Sequence, residues 1–112
     1  MKKVLIYTME GQEMCFLHAL MNAKDLKAKG FEVKVILEGK SVTLPQILEE
    51  EKNPLYLALK ENGTIAGICK GCSTKLGVLE TNEKLGFTML DDMMGHAGFS
   101  SYLEEGYQVI TF

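Results

Sequence analysis

A chain of 112 residues with 46% hydrophobic residues and a mean hydropathy of +0.03 has the apolar material for one folded domain over 1–112, and too little length for a separate substrate domain. Its net charge of −3, with Lys and Glu interspersed, supplies no basic field and argues against a nucleic-acid partner. No stretch approaches the roughly 18 apolar residues of a membrane span. Three cysteines, an odd number, without a secretory signal argue against a disulfide framework and make the reducing cytoplasm the expected compartment.

In chain order, Val4 to Thr8 is an apolar, β-rich run that reads as a first strand. A long helical segment follows from about Gln12 to Lys29 and closes at Gly30, a residue suited to a helix C-terminus. Glu32 to Leu37 is the second strand, and the strand–helix–strand spacing makes one βαβ unit with parallel strands. Ser41 to Glu51 and Pro54 to Glu61 read as helices broken at Asn53-Pro54, the second ending at Asn62-Gly63. Glu49-Glu50-Glu51 is then a solvated helix face. The remaining strands are Thr64 to Ile68, Phe87 to Leu90 and Tyr107 to Thr111, each after a helical segment. The expected fold is a three-layer α/β/α domain with about five parallel strands.

Ligand and catalytic groups of such a sheet gather at the carboxyl ends of its strands. Strand one delivers Thr8 to Gln12 to that edge, strand three Cys69 to Cys72, and strand four Asp91 to His96. The segment Ile68-Cys69-Lys70-Gly71-Cys72-Ser73 carries the chemistry. Ser73 to Leu79 is expected to start a helix there, and that helix start together with Lys70 and Lys75 would favour a thiolate, the reactive form. Gly67 and Gly71 suggest a backbone shaped for close approach rather than core filling.

A Cys-x-x-Cys at a strand-to-helix turn supports dithiol–disulfide exchange, half of a soft-metal site, or sulfur transfer through a persulfide; burial of both thiols as core residues is the plainer alternative. A full zinc site needs about four ligands, so Cys15, His18, His96 or a neighbouring subunit would have to complete one, and none is expected from the pair alone. His96 is a candidate base or partner for a sulfur anion, or a polar loop residue; Asp92 or Ser100 can cap a helix. Cys15 lines up with Ala19, Ala23 and Leu26 and is expected in the core, whereas His18 shares a polar face with Asn22, Asp25 and Lys29. Neither a Gly-x-Gly-x-x-Gly nor a Gly-x-x-x-x-Gly-Lys pattern occurs, so no nucleotide cofactor is expected.

The segment from Gly67 to Val78 resembles the cysteine motif of the DsrE-like family of intracellular sulfur-relay proteins: a strand ends in Ile-Cys, and small residues then lead to a basic residue near Gly77-Val78. The similarity extends to the opening strand, the helix containing His18 and Ala19, the Leu37-Glu38-Gly39 strand end and the closing Gly106-Tyr107-Gln108-Val109. The resemblance implies a five-stranded parallel sheet between helical layers, assembly into a homotrimer or hexamer, and sulfur donor and acceptor proteins as partners. It also implies that Cys69 accepts a sulfane sulfur as a persulfide and passes it on. Cys72, which many relay members lack, would then be a resolving thiol, with Lys70, Lys75, His96 and Asp92 in support.

Overall fold

The computed structural model describes residues 2–112. Its strands are β1 (Lys3–Thr8), β2 (Glu32–Leu37), β3 (Ile65–Cys69), β4 (Met89–Leu90) and β5 (Gln108–Thr111). The helices are α1 (Glu13–Ala28), α2 (Leu44–Glu50), α3 (Pro54–Glu61), α4 (Lys70–Lys75), α5 (Leu79–Lys84) and α6 (Ser100–Glu104). One five-stranded sheet in the order β4-β3-β2-β1-β5, parallel throughout, forms the middle of a three-layer α/β fold. Val4, Leu5, Ile6 and Tyr7 are buried, as are Val33, Val35, Ile36 and Leu37 in the neighbouring strand. That explains why both strands read as near-continuous apolar runs: helices cover a parallel sheet on its two faces.

The helices sit where their sequences allow. In α1, Phe16, Ala19, Leu20 and Ala23 are buried, and the two alanines bring the helix close to the sheet. The inward stripe passes through Phe16 rather than Cys15, which corrects the expectation of a core cysteine: Cys15 is half-buried in the first turn, its Sγ 3.7 Å from Gln12 Oε1. His18 is exposed, as its polar face implied. Pro54 opens α3, where a missing N–H costs nothing, and Asn53 Oδ1 caps it by accepting from Tyr56 N–H at 3.0 Å.

Three elements differ from the sequence reading by more than one residue at an end. The segment read as one helix from Ser41 begins as a 3-10 turn, Gly39–Thr43, and becomes α-helical at Leu44, because Pro45 can be accommodated only in a first helical turn. The fourth strand is two residues long, Met89–Leu90, because Gly86 turns the chain at a positive φ of 91° and its first bond to β3 is from Ile68 N–H to Thr88 O at 2.9 Å. The helix expected from Ser73 starts at Lys70 and ends at Lys75, with Leu79 opening a separate helix.

Three buried phenols share one arrangement. Tyr7, Tyr56 and Tyr107 each point their hydroxyl at a carboxylate, that of Glu38 (3.2 Å), Glu49 (2.9 Å) and Glu32 (2.9 Å). Burial first, and then the facing carboxylate, raises all three phenols, that of Tyr107 up to about 12. A raised acid binds its proton more tightly in the folded chain than in the unfolded one, so this stabilisation is complete below an unfolded tyrosine's value of about 10 and is lost as pH rises beyond it. The phenols' share of the unfolding free energy is therefore expected to hold up to about pH 10 and to fall between about pH 10 and 12. Denaturant melts across that range, with tyrosinate absorbance followed in parallel, check it. Phenols that ionise near pH 10 without loss of stability would contradict the arrangement.

Among the described residues no helix is long and apolar enough to cross a membrane.

Candidate functional site

Three neighbouring strands end together, and the residues that follow them converge. Leu37 of β2 lies opposite Ile68 of β3, and Cys69 lies opposite Leu90 of β4. Glu38 follows β2, Cys69 closes β3, and the loop after β4 carries His96.

Cys69 is both the last strand residue and the N-cap of α4: its Sγ accepts the N–H of Cys72 at 3.3 Å. A sulfur thus does what Ser or Asp does at other helix starts. One turn later Cys72 brings its own sulfur to the same side. Asn82 anchors this turn from below, donating to Ser73 Oγ at 3.1 Å and to Val42 O at 3.0 Å. Cys69 is fully buried, whereas Cys72 is half-buried.

His96 arrives through a tight turn. Met93 and His96 exchange two backbone hydrogen bonds of 2.8 Å, and the two residues between them, Met94 and Gly95, take positive φ of 52° and 88°. Positive φ at both central positions is the type I′ pattern of two-residue hairpin turns. Gly71 receives this turn by donating its N–H to Gly95 O at 2.8 Å. A Cβ at position 71 would lie 2.7 Å from Gly95 O and 2.7 and 2.8 Å from His96 Cε1 and Nε2. The glycine between the cysteines is therefore the gap into which the imidazole fits. Gly67 has a similar role for β4, since a Cβ there would meet the Leu90 side chain at 2.8 Å and Thr88 O at 2.9 Å. Asp92 stands outside the cluster, exposed, and pins the loop by accepting Gly98 N–H at 3.0 Å rather than by capping α6.

With the imidazole seated, its Nδ1 lies 3.2 Å from Cys69 Sγ and 3.3 Å from Cys72 Sγ. Cys72 Sγ donates to Glu38 Oε1 at 2.7 Å and accepts Gly39 N–H at 3.3 Å. Glu38 Oε1 is also 3.6 Å from His96 Nδ1. The Tyr7 hydroxyl closes the arrangement, sharing its proton between Ala97 O at 2.7 Å and Glu38 Oε2 at 3.2 Å. Ligand atoms of Glu38, Cys69, Cys72 and His96 all lie within 4.8 Å of one another. Two sulfurs, one imidazole nitrogen and one carboxylate oxygen form a donor set able to hold a divalent ion, while the same two thiols, left free, can exchange sulfur.

The electrostatics differ from the expectation. Burial, then the hydrogen bond to Glu38, pushes the Cys72 thiol up to about 12. Burial alone would raise the Glu38 carboxyl, but hydrogen bonds from Cys72, Cys69, Gly39 N–H and Tyr7 outweigh it and hold the group below its ordinary value. The helix start and nearby lysines were expected to favour thiolate at both cysteines; burial, and then the facing carboxylate, reverse this at Cys72. Lys70 and Lys75 are exposed, and among the described residues neither bonds to a sulfur. Cys15 and His18 lie on α1, and neither belongs to the cluster. Glu38 and Tyr7 are the site residues that the sequence reading missed. The strand-end rule that located Cys69 and His96 also points at Glu38, the first residue beyond Leu37.

No family model matches the chain, and neither does any solved structure. An uncharacterized protein of Archaeoglobus fulgidus is 41% identical over 44 residues, covering 39% of this chain and 72% of its own length. The uncharacterized protein MJ0733 of Methanocaldococcus jannaschii is 34% identical over 94 residues, covering 84% of this chain and 77% of its own. At that identity and coverage, the chain belongs to the same protein family as MJ0733 of Methanocaldococcus jannaschii.

Proposed function

We propose that this protein handles sulfane sulfur through Cys69, as its DsrE-like cysteine motif implies, with Cys72 as the thiol that unloads it. The observation that carries the reading is the shared imidazole: His96 Nδ1 lies 3.2 Å from one sulfur and 3.3 Å from the other. Cys72 is tied to Glu38 by its own proton, which leaves Cys69 as the thiol that gives its proton to His96 and attacks first.

In the first step, the Cys69 sulfur attacks the outer sulfur of a donor persulfide, R–S–SH. The donor S–S bond breaks, R–S⁻ leaves with the electron pair, and Cys69 becomes Cys69–S–SH. The N–H of Cys72, aimed at Cys69 Sγ, steadies the anion before attack. In the second step, once the first proton has left His96 with the departing R–S⁻, Cys72 gives its own proton to His96 Nδ1, 3.3 Å from its sulfur, and attacks Cys69 Sγ. Hydrosulfide leaves, a Cys69–Cys72 disulfide forms, the dithiol is oxidised by two electrons and the sulfane sulfur is reduced.

Two fates exist for the loaded sulfur: transfer to a partner protein, or reduction by Cys72. Distance favours the second, because the sulfurs lie within 4.8 Å of each other. Reduced protein given a small persulfide donor is expected to release one hydrosulfide per chain and lose both thiols. Cys72→Ser is expected to keep the sulfur bound and to release none. Hydrosulfide release from Cys72→Ser at the wild-type rate would remove Cys72 from the reaction.

A further inference from the structure

We infer that Glu38, Cys69, Cys72 and His96 form a tetrahedral binding site for zinc or a similar borderline-soft divalent ion. This goes beyond the sulfur reading and does not depend on it. The donor atoms come from three separate chain segments, the end of β2, the β3–α4 turn and the loop after β4, and yet all fall within 4.8 Å of one another.

Chemistry and spacing agree. Two thiolates, one imidazole and one carboxylate are ligand types that zinc takes, and four of them fill its preferred coordination. Metal–ligand lengths of about 2.0–2.3 Å set tetrahedral donor atoms roughly 3.3–3.8 Å apart. Here the imidazole nitrogen lies 3.2, 3.3 and 3.6 Å from the two sulfurs and the carboxylate oxygen. The short separation of 2.7 Å between Cys72 Sγ and Glu38 Oε1 is spanned by the thiol proton, and an ion that replaces this proton opens it by about 1 Å.

The surroundings suit thiolate ligands. Cys69 Sγ accepts Cys72 N–H and Cys72 Sγ accepts Gly39 N–H, each at 3.3 Å, and the Tyr7 hydroxyl orients the second oxygen of Glu38. Such outer contacts fix ligand direction and offset charge on the bound anions. The His96 side chain, 40% exposed, leaves a route for the ion from solvent. On binding, the two thiol protons pass to solvent and the −3 of two thiolates and one carboxylate meets a 2+ ion, leaving −1 inside this set of donors.

Cobalt(II) titrated anaerobically into the reduced full chain tests the site. The expected result is one cobalt per chain with intense visible bands of a tetrahedral ion and thiolate-to-cobalt charge transfer in the near ultraviolet, all bleached by equimolar zinc(II). Cys72→Ser is expected to lose about half of the charge-transfer intensity, one of two thiolates. Glu38→Gln is expected to weaken binding at least about tenfold, whereas Cys15→Ser leaves the spectrum unchanged. A weak octahedral spectrum in the wild-type protein would overturn the assignment, as would charge-transfer bands that persist in Cys69→Ser/Cys72→Ser. Far-ultraviolet circular dichroism on each variant separates a lost ligand from a lost fold. The readout is cobalt, so sulfur chemistry can fail while the metal site stands, and the reverse.

Discussion

Gly71→Ala is expected to disable the site while leaving the sheet intact. The added methyl would sit 2.7 Å from a backbone oxygen, Gly95 O, and 2.7 to 2.8 Å from two ring atoms of His96. Neither neighbour yields cheaply. The Gly95 carbonyl belongs to a two-residue turn closed by two hydrogen bonds, and the imidazole is flanked by the two sulfurs and Glu38. The loop must therefore lift, which breaks the Gly71 N–H to Gly95 O bond and draws Nδ1 away from Cys69 and Cys72. Overpacking of this kind costs about 1–3 kcal/mol of stability. Loss of a positioned proton acceptor slows thiol attack by about 100-fold or more. Rates of sulfur acceptance with denaturant melts of the same sample check both figures. Lys70→Ala, at an exposed neighbouring position, is expected to match wild type in each. Wild-type acceptance by Gly71→Ala would mean that His96 has no part in the chemistry.

Tyr7→Phe is expected to have the second large effect, and to act through β1. The Tyr7 hydroxyl holds Ala97 O at 2.7 Å and Glu38 Oε2 at 3.2 Å, so one group ties the first strand to the His96 loop and to the buried carboxylate. Ala97 is fully buried and Glu38 nearly so, and phenylalanine leaves the acceptors of both without this donor. The ring itself stays, still packed edge-on against Phe99 with centroids 5.2 Å apart, so packing changes little. Leaving buried acceptors unpaired costs about 1–3 kcal/mol, or roughly 4–15 °C in melting temperature for a domain of this size. Thermal melts of the two proteins test it; an unchanged midpoint would show that the hydroxyl has no structural role.

The sheet was legible in the sequence because parallel strands are buried on both faces. Val4 to Tyr7 and Val33 to Leu37 could be read as strands without any partner in view. Pro54 after Asn53 marked α3 in the same local way. The start of α4 was not legible: its cap is the thiol of Cys69, and cysteine is not among the residues by which helix starts are recognised. Sequence neighbours also misled. Lys70 and Lys75 adjoin the cysteines along the chain but point to solvent, while Glu38, 34 residues before Cys72, bonds to its sulfur. The strand-end rule brought His96 to this edge, but its close approach depends on Met94 taking a left-handed conformation that non-glycine residues seldom adopt. Gly71 recorded the tightness of that approach in the sequence, as an absent side chain.

All these contacts serve one claim, that Cys69 is the sulfur that accepts and Cys72 the sulfur that answers. The measurement that tests it most directly is peptide-resolved mass spectrometry of the Cys72→Ser chain after treatment with a small persulfide donor. One added sulfur atom on the peptide bearing Cys69, absent in Cys69→Ser, is the predicted result. Added sulfur on Cys15 alone, or the same adduct in Cys69→Ser, would contradict it.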